Sequence, residues 1–333
     1  MNSVDMTMAS VACIGECMVE LRQAQGGHST GQSAGQGGGL YSRGFGGDTL
    51  NTAVYLARLE VKVDYLSALG DDALSDEMIA AWNAESVGTR RVVRLPGKLP
   101  GLYMIQTDDK GERRFFHWRD SAAARSLMDL PQTPEILNSL AGYDVIYLSA
   151  ITLSLYGGEG RARLFAALGR ARESGARFAF DTNFRARGWP DLDIARAVFR
   201  EAFATADIVL ASTEDLLPLY PGESSENVLA RIPGAEVVLK LSEPASIVRL
   251  DGVPYPIKAK PVEAPVVDTT AAGDSFAAAY VAARLVGADP IEAARAGHRL
   301  AGVVVCHPGA IIPRAEMPRG LIPNHVNFRK ASP

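Results

Sequence analysis

A chain of 333 residues with 47% apolar side chains is long enough for one large domain or two ordinary ones built on a sizeable core. Its formal net charge of -4, spread without long charge runs, argues against a general nucleic-acid binder or a protein of anionic membrane surfaces. The first ten residues lack the basic start and apolar core of a signal peptide, and no apolar run approaches the roughly 20 residues that span a bilayer.

The three cysteines, Cys13, Cys17 and Cys306, form no C-x-x-C pattern and read as buried thiols of a reducing, cytoplasmic compartment. Val11-Ala12-Cys13-Ile14-Gly15 is a short apolar run ending at Glu16; it predicts a buried first strand that Met18, Val19 and Leu21 would extend. The Gly/Ser/Gln-rich stretch 24–39 has the composition of a flexible loop. It lacks the Lys-Ser/Thr ending and the preceding strand of a phosphate-gripping loop. Gly44-Phe45-Gly46-Gly47-Asp48-Thr49-Leu50-Asn51-Thr52 then runs into Ala53, Leu56, Ala57 and Leu59 at helical intervals. Its glycines allow close backbone approach, and Asp48 and Asn51 share one face of the first turn, where they can hydrogen-bond the vicinal hydroxyls of a sugar. Asp48 as a plain helix cap would account for only one of the two polar groups.

Val63 to Leu69 predicts a further strand and residues 75–86 a helix. Leu102-Tyr103-Met104-Ile105-Gln106-Thr107 and Arg113-Arg114-Phe115-Phe116-His117-Trp118-Arg119 flank Asp108-Asp109-Lys110-Gly111 as an antiparallel hairpin. A hairpin that interrupts strand–helix alternation is a candidate lid, in which Arg119 is suited to a carboxylate or phosphate. Packing of its aromatic residues on their own sheet or on a partner subunit explains them equally.

From Tyr143 onward, the runs Val145-Ile146-Tyr147-Leu148, Phe178-Ala179-Phe180, Ile208-Val209-Leu210 and Val237-Val238-Leu239 alternate with helical stretches such as 161–174 and 193–205. That is the pattern of a parallel sheet covered on both faces, where ligands bind beyond the carboxyl ends of the strands. Asp181-Thr182-Asn183-Phe184-Arg185 lies past one such end and Ser212-Thr213-Glu214-Asp215 past the next. Arg185 is thus a second candidate for holding an anion, and Glu214 and Asp215 can organise metal-bound water; a helix cap with first-turn charge explains the two acids as well.

The β-branched run Pro265-Val266-Val267 leads into Asp268-Thr269-Thr270-Ala271-Ala272-Gly273-Asp274-Ser275-Phe276, with Phe276, Ala279, Ala283 and Val286 at helical spacing: strand, small-residue turn, helix start. The first N–H groups of a helix have no internal acceptors and sit at the positive end of its dipole, so the turn from Ala271 to Gly273 can hold an anion. Asp274 is then placed to accept a proton from a hydroxyl that attacks a phosphate. A capped start, with Asp268 or Thr270 as the cap, has the same spacing. Asp289-Pro290 opens the last helix, whose stripe of Ile291, Ala294, His298, Gly302 and Val305 makes His298 a packed histidine rather than a base.

Gly46-Gly47-Asp48 with Asn51, taken with Asp268 through Asp274, resembles the two signatures of the ribokinase-like (PfkB) carbohydrate kinases, and the likeness runs over nearly the whole chain. Gly15-Glu16-Cys17-Met18, Leu99-Pro100-Gly101-Leu102-Tyr103, Phe116-His117-Trp118-Arg119 and Gly309-Ala310-Ile311-Ile312-Pro313 look like the keto-deoxygluconate branch of that family. The resemblance implies a three-layer α/β/α domain with a mostly parallel central sheet over 10–16, 46–90 and 120–320. It also implies a small discontinuous β lid over 17–45 and 91–119, often the site of homodimer or higher homo-oligomer contacts. The implied reaction is ATP-dependent phosphorylation of 2-keto-3-deoxygluconate, a small sugar acid, with Mg²⁺.

By the same likeness Asp274 is the base, with Ala271, Ala272 and Gly273 shaping the anion hole. Gly46, Gly47, Asp48, Asn51, Tyr103, His117, Arg119 and Arg185 face the sugar acid. Asn183, Ser212, Lys240, Ser242, Thr270, Gly273 and His298 face the nucleotide, and Glu214 and Asp215 act on Mg²⁺ through water. The chain departs from the family pattern at Ala271, where most members carry glycine, at His117, where the branch carries tyrosine, and at Ser242-Glu243-Pro244, which replaces a glycine-bearing turn. The stretch 24–39 looks like an insertion. A neutral-sugar kinase of the fructokinase or ribokinase type, and a catalytically silent sugar sensor of the same fold, are the competing expectations.

Overall fold

The apolar runs of the sequence become the strands of one sheet, because each is flanked on both faces by helices that keep its backbone dry. The structure, a computed structural model, describes residues 9–23, 40–107, 113–234, 236–262 and 264–322. In chain order the first half holds β1 (Ser10–Ile14), β2 (Met18–Gln23), β3 (Tyr41–Gly46), α1 (Asp48–Arg58), β4 (Lys62–Gly70), α2 (Ala73–Ala84), β5 (Val87–Gly88), β6 (Val92–Leu95), β7 (Gly101–Thr107), β8 (Arg113–Trp118) and α3 (Thr133–Asn138). The second half begins with β9 (Val145–Ser149), α4 (Ala150–Leu155), α5 (Gly158–Glu173), β10 (Arg177–Asp181), α6 (Leu192–Thr205), β11 (Ile208–Ser212), α7 (Thr213–Leu219) and α8 (Ser225–Ala230). It closes with β12 (Glu236–Lys240), β13 (Ala245–Leu250), β14 (Val253–Lys258), α9 (Ala272–Leu285) and α10 (Pro290–Val304).

The main sheet runs β14-β13-β12-β11-β10-β9-β1-β4-β5, with β6 also paired to β4. Neighbours from β12 through β5 are parallel. Alternate side chains feed two cores: Ala12, Ile14, Phe178 and Phe180 pack with α5, α6 and α7 on one face, while Val11, Cys13 and Ala179 pack with α1, α9 and α10 on the other. Edge-to-face contacts tie Phe180 to Phe199 and Phe203 at ring-centroid distances of 5.6 and 5.9 Å. Each such ring contributes about 2 kcal/mol or more through burial. A second sheet, β3-β2-β7-β8, forms the lid. Among the described residues no helix is long and apolar enough to cross a membrane. The stretch 24–39 and the turn Asp108-Asp109-Lys110-Gly111 lie outside the described residues.

Three expectations change, and one element is new. Met18, Val19 and Leu21 do not extend β1: the chain leaves the main sheet at Gly15, whose N–H closes on Leu66 O at 3.2 Å, and those residues form β2 of the lid. Within 91–119, Val92–Leu95 pairs with β4, so the lid sheet resumes only at Gly101. Pro265-Val266-Val267 forms no strand; both valines are 58% exposed, and the N–H groups of Val267 and Asp268 share Val305 O. Strand propensity gave way there because no neighbouring edge is offered to it. The antiparallel hairpin β13–β14 was not anticipated, although its Asp251-Gly252 turn, with φ of 47° and 85°, is the strongest short-range hairpin signal a sequence carries.

Candidate active site

The parallel strands β1, β10, β11 and β12 end at Glu16, Asp181, Ser212 and Lys240, or one turn from them, and α1 and α9 begin above those ends. The turn into α9 sets the geometry. Asp268 caps that turn and not the helix: its Oδ1 accepts from Thr270 N at 2.9 Å and Thr270 Oγ1 at 2.6 Å, and its Oδ2 accepts from Gly309 N at 3.0 Å. Ala271 is forced to φ 60°, ψ 15°, a left-handed conformation that costs an alanine about 1 kcal/mol. Ala272 N–H is occupied, donating to Thr269 O at 3.2 Å, whereas the N–H groups of Gly273 and Asp274 have no acceptor among the described residues. Of the three residues expected to shape the anion hole, Gly273 therefore presents an open amide.

Asp274 sits in the first turn of α9, partly exposed to the cleft, and accepts from Asn51 Nδ2 at 2.8 Å. Burial, and after it the negative charge of Asp48, push its pKa up to about 8 against the opposing hydrogen bond from Asn51. Asp48 is not the cap of α1; Gly47 occupies that position without any side-chain bond, and Asp48 accepts instead from Asn183 Nδ2 at 2.8 Å. A third carboxylate, Asp181, was not singled out from the sequence. It is 3% exposed, accepts from Tyr147 Oη at 3.1 Å and lies 3.5 Å from Lys240 Nζ. Lys240 Nζ stands 3.4 Å from where a Cβ on Gly273 would lie, which puts a cation beside the open amide. Gly46 and Gly47 are needed for close approach: a Cβ on Gly46 would meet Tyr103 Oη at 2.1 Å, and one on Gly47 would meet Glu16 O at 2.3 Å.

The lid supplies the opposite wall. Tyr103 stacks on His117 at 6.0 Å between ring centroids and donates through Oη to Glu20. Arg119 forms an ion pair with Glu16. Burial raises the pKa of the Glu16 carboxyl while Arg119 pulls it back, and Arg119 together with Arg187 helps burial keep His117 below the usual histidine value. Arg187, exposed on the turn after β10 and not picked from the sequence, acts on His117 only through its charge. Arg185 does less than expected: its side chain is 62% exposed and donates to Asp215 Oδ1 at 3.1 Å and to Phe184 O at 2.8 Å.

Beyond Lys240 the remaining expected residues gather on the β11–β13 side. Asp215 Oδ2 accepts from Ser212 Oγ at 2.7 Å and Thr182 Oγ1 at 2.9 Å; Glu214 is exposed. Ser242 Oγ lies 3.3 Å from Thr213 Oγ1. His298 Nε2 is 2.9 Å from Ser246 Oγ, its ring stands edge-on to Phe276 at 5.0 Å, and burial lowers its pKa to about 4, so it is neutral near pH 7. A carboxylate of raised basicity, open helix-start amides, a nearby lysine and an arginine-bearing wall can together deprotonate a hydroxyl and stabilise charge on a transferring phosphoryl group.

Comparison with known proteins agrees with this chemistry. The chain is 42% identical to the 2-dehydro-3-deoxygluconokinase of Dickeya dadantii over 324 residues, 94% of this chain and 100% of the relative. Its fold superposes on the crystal structure of the 2-dehydro-3-deoxygluconokinase from Thermotoga maritima with a TM-score of 0.76 at 23% identity, covering 92% and 95% of the two chains. The crystal structure of fructokinase with bound ATP from Xylella fastidiosa superposes with a TM-score of 0.76 at 21% identity, covering 93% and 95%. Residues 8–317 match the pfkB family carbohydrate kinases, and the chain therefore belongs to that family.

Proposed function

We propose that the protein transfers the γ-phosphoryl group of ATP to the 6-hydroxyl of 2-keto-3-deoxygluconate, giving ADP and 2-keto-3-deoxy-6-phosphogluconate. The observation that carries the reading is the meeting of Asp274, at about pKa 8, with the open Gly273 amide and Lys240. The sugar oxygen attacks the γ-phosphorus, its proton passes to Asp274, and the bond to the β-phosphate breaks as ADP leaves. Gly273 N–H and Lys240 stabilise the charge on the transferring group. Asp48 and Asn51 hold sugar hydroxyls. Arg119, drawn partly from Glu16, meets the carboxylate with a charge-assisted hydrogen bond that a neutral sugar does not offer.

Val262, beside Gly302, and the exposed Val266 and Val267 offer apolar surface to the adenine, and His298 is neutral. Mg²⁺ on the nucleotide would neutralise phosphate charge. No group of three or more His, Cys, Asp or Glu is gathered for a metal among the described residues, so the nucleotide and water must supply most of its ligands. Exposed Glu214 fits that role through water; the oxygens of Asp215 are already engaged by Thr182, Ser212 and Arg185. Buried free Cys13 and Cys17 suit a reducing cytoplasm. The lid exposes Tyr41, Phe115 and Trp118, a surface suited to a second copy of the chain.

The test is ADP release across a panel of sugar acids and neutral sugars. Turnover on 2-keto-3-deoxygluconate should exceed that on fructose or ribose by about 10²-fold or more. Equal or greater rates on the neutral sugars reject the assignment, and tight binding without any turnover replaces it with a sensor.

A further inference from the structure

One ion pair joins the lid to the turn before α9 across 246 positions of sequence. Arg22, on β2, places Nη1 3.1 Å from Asp268 Oδ2 and Nε 3.3 Å from Glu20 Oε1. Glu20 in turn accepts from Tyr103 on β7. At its other end, Asp268 is the residue that holds Thr270 and Gly309 and so sets the strained Ala271 turn below Gly273. The Asp268 side chain is only 8% exposed and that of Arg22 25%, so the pair is shielded beyond an ordinary surface bridge. A guanidinium can hold two carboxylates at once in a fixed fork, which an ammonium cannot do with the same geometry.

We propose that Arg22 is a positioning residue: by bonding Asp268 when the lid lies over the main sheet, it fixes the turn that presents the Gly273 amide, so that the site is in register for transfer only under a seated lid. The catalytic consequence rests on the kinase reading above; the mechanical link does not. Lid closure that completes a catalytic arrangement is a general device, here given a specific bond.

The test compares wild type with Arg22→Ala and Arg22→Lys. In the ligand-free protein, amide hydrogen exchange over 268–275 should quicken about fivefold or more in Arg22→Ala, the low end of coupling between separate sites, while β9 through β12 exchange as in wild type. With sugar acid and ATP, kcat should fall by at least a similar factor with KM for ATP within about twofold, and Arg22→Lys should recover part of kcat. A residue that only supports folding would speed exchange throughout the core, and unchanged exchange over 268–275 would likewise overturn the proposal. If wild type itself shows no turnover on the sugar acid, the functional reading fails while the exchange measurement still decides the link. Should Arg22→Ala not fold, Arg22→Gln carries the same comparison.

Discussion

Asp274→Asn should lower kcat on 2-keto-3-deoxygluconate by about 10²–10⁴-fold, the range in which a positioned general base contributes. Asparagine keeps the shape and the contact with Asn51 but accepts no proton, so sugar binding measured by calorimetry should change little; near-normal turnover would remove the base. The acid–base argument also fixes the pH dependence. Below about pH 8 the Asp274 carboxyl of the free protein is protonated, so kcat/KM should climb with pH and level off above that value. Asp48 raises this pKa by like charge, and Asp48→Asn should move the midpoint to lower pH even though it weakens sugar binding. A midpoint that stays put or rises would contradict the geometry.

Linkage adds a stability test. The Asp274 pKa is raised from 3.8 to about 8 on folding, so between those values the folded state holds a proton that the unfolded chain releases, and stability falls as pH rises across the window. At pH 7 Asp274→Asn should therefore unfold at a temperature higher by about 2 °C or more.

The parallel sheet was legible because β1, β9, β10, β11 and β12 are buried on both faces and must be nearly all apolar. Asp48, Asn51 and Asp274 were singled out because each belongs to a helix start whose neighbours are small, and the fold brings Asn51 to 2.8 Å from Asp274. Asp181 and Glu16 were passed over for a different reason. Each follows an apolar run as a lone acid, and only the fold shows that strands distant in sequence bring Lys240 to the one and Arg119 to the other. Arg185 was overvalued since its position past a strand end fixes where its backbone lies, while its side chain reaches Asp215 at the surface. Val266 and Val267 misled because β-branched residues mark strands only where a partner edge exists, and here they stand exposed.

Arg119→Ala should cut kcat/KM for the sugar acid by about 10²-fold, the loss of roughly 3 kcal/mol expected when a charged hydrogen bond to a carboxylate disappears. It should also destabilise the fold, because Glu16, whose side chain is 1% exposed, loses the cation that offsets its burial. Removing one partner of a buried pair typically costs about 3–5 kcal/mol, so a melting temperature lower by several degrees is expected. The two effects separate in the double variant Glu16→Gln/Arg119→Ala. Glutamine carries no charge into the same space, so much of the thermal loss should be recovered, whereas activity on the sugar acid should remain low. Activity on a neutral ketose should change far less than activity on the acid in either variant, because no carboxylate is there to miss the guanidinium. Loss of both activities in equal measure would mean that Arg119 braces the lid through Glu16 and does not read the substrate's charge. Selectivity would then have to come from Arg187 or Arg185, and substitution of each in turn would identify which.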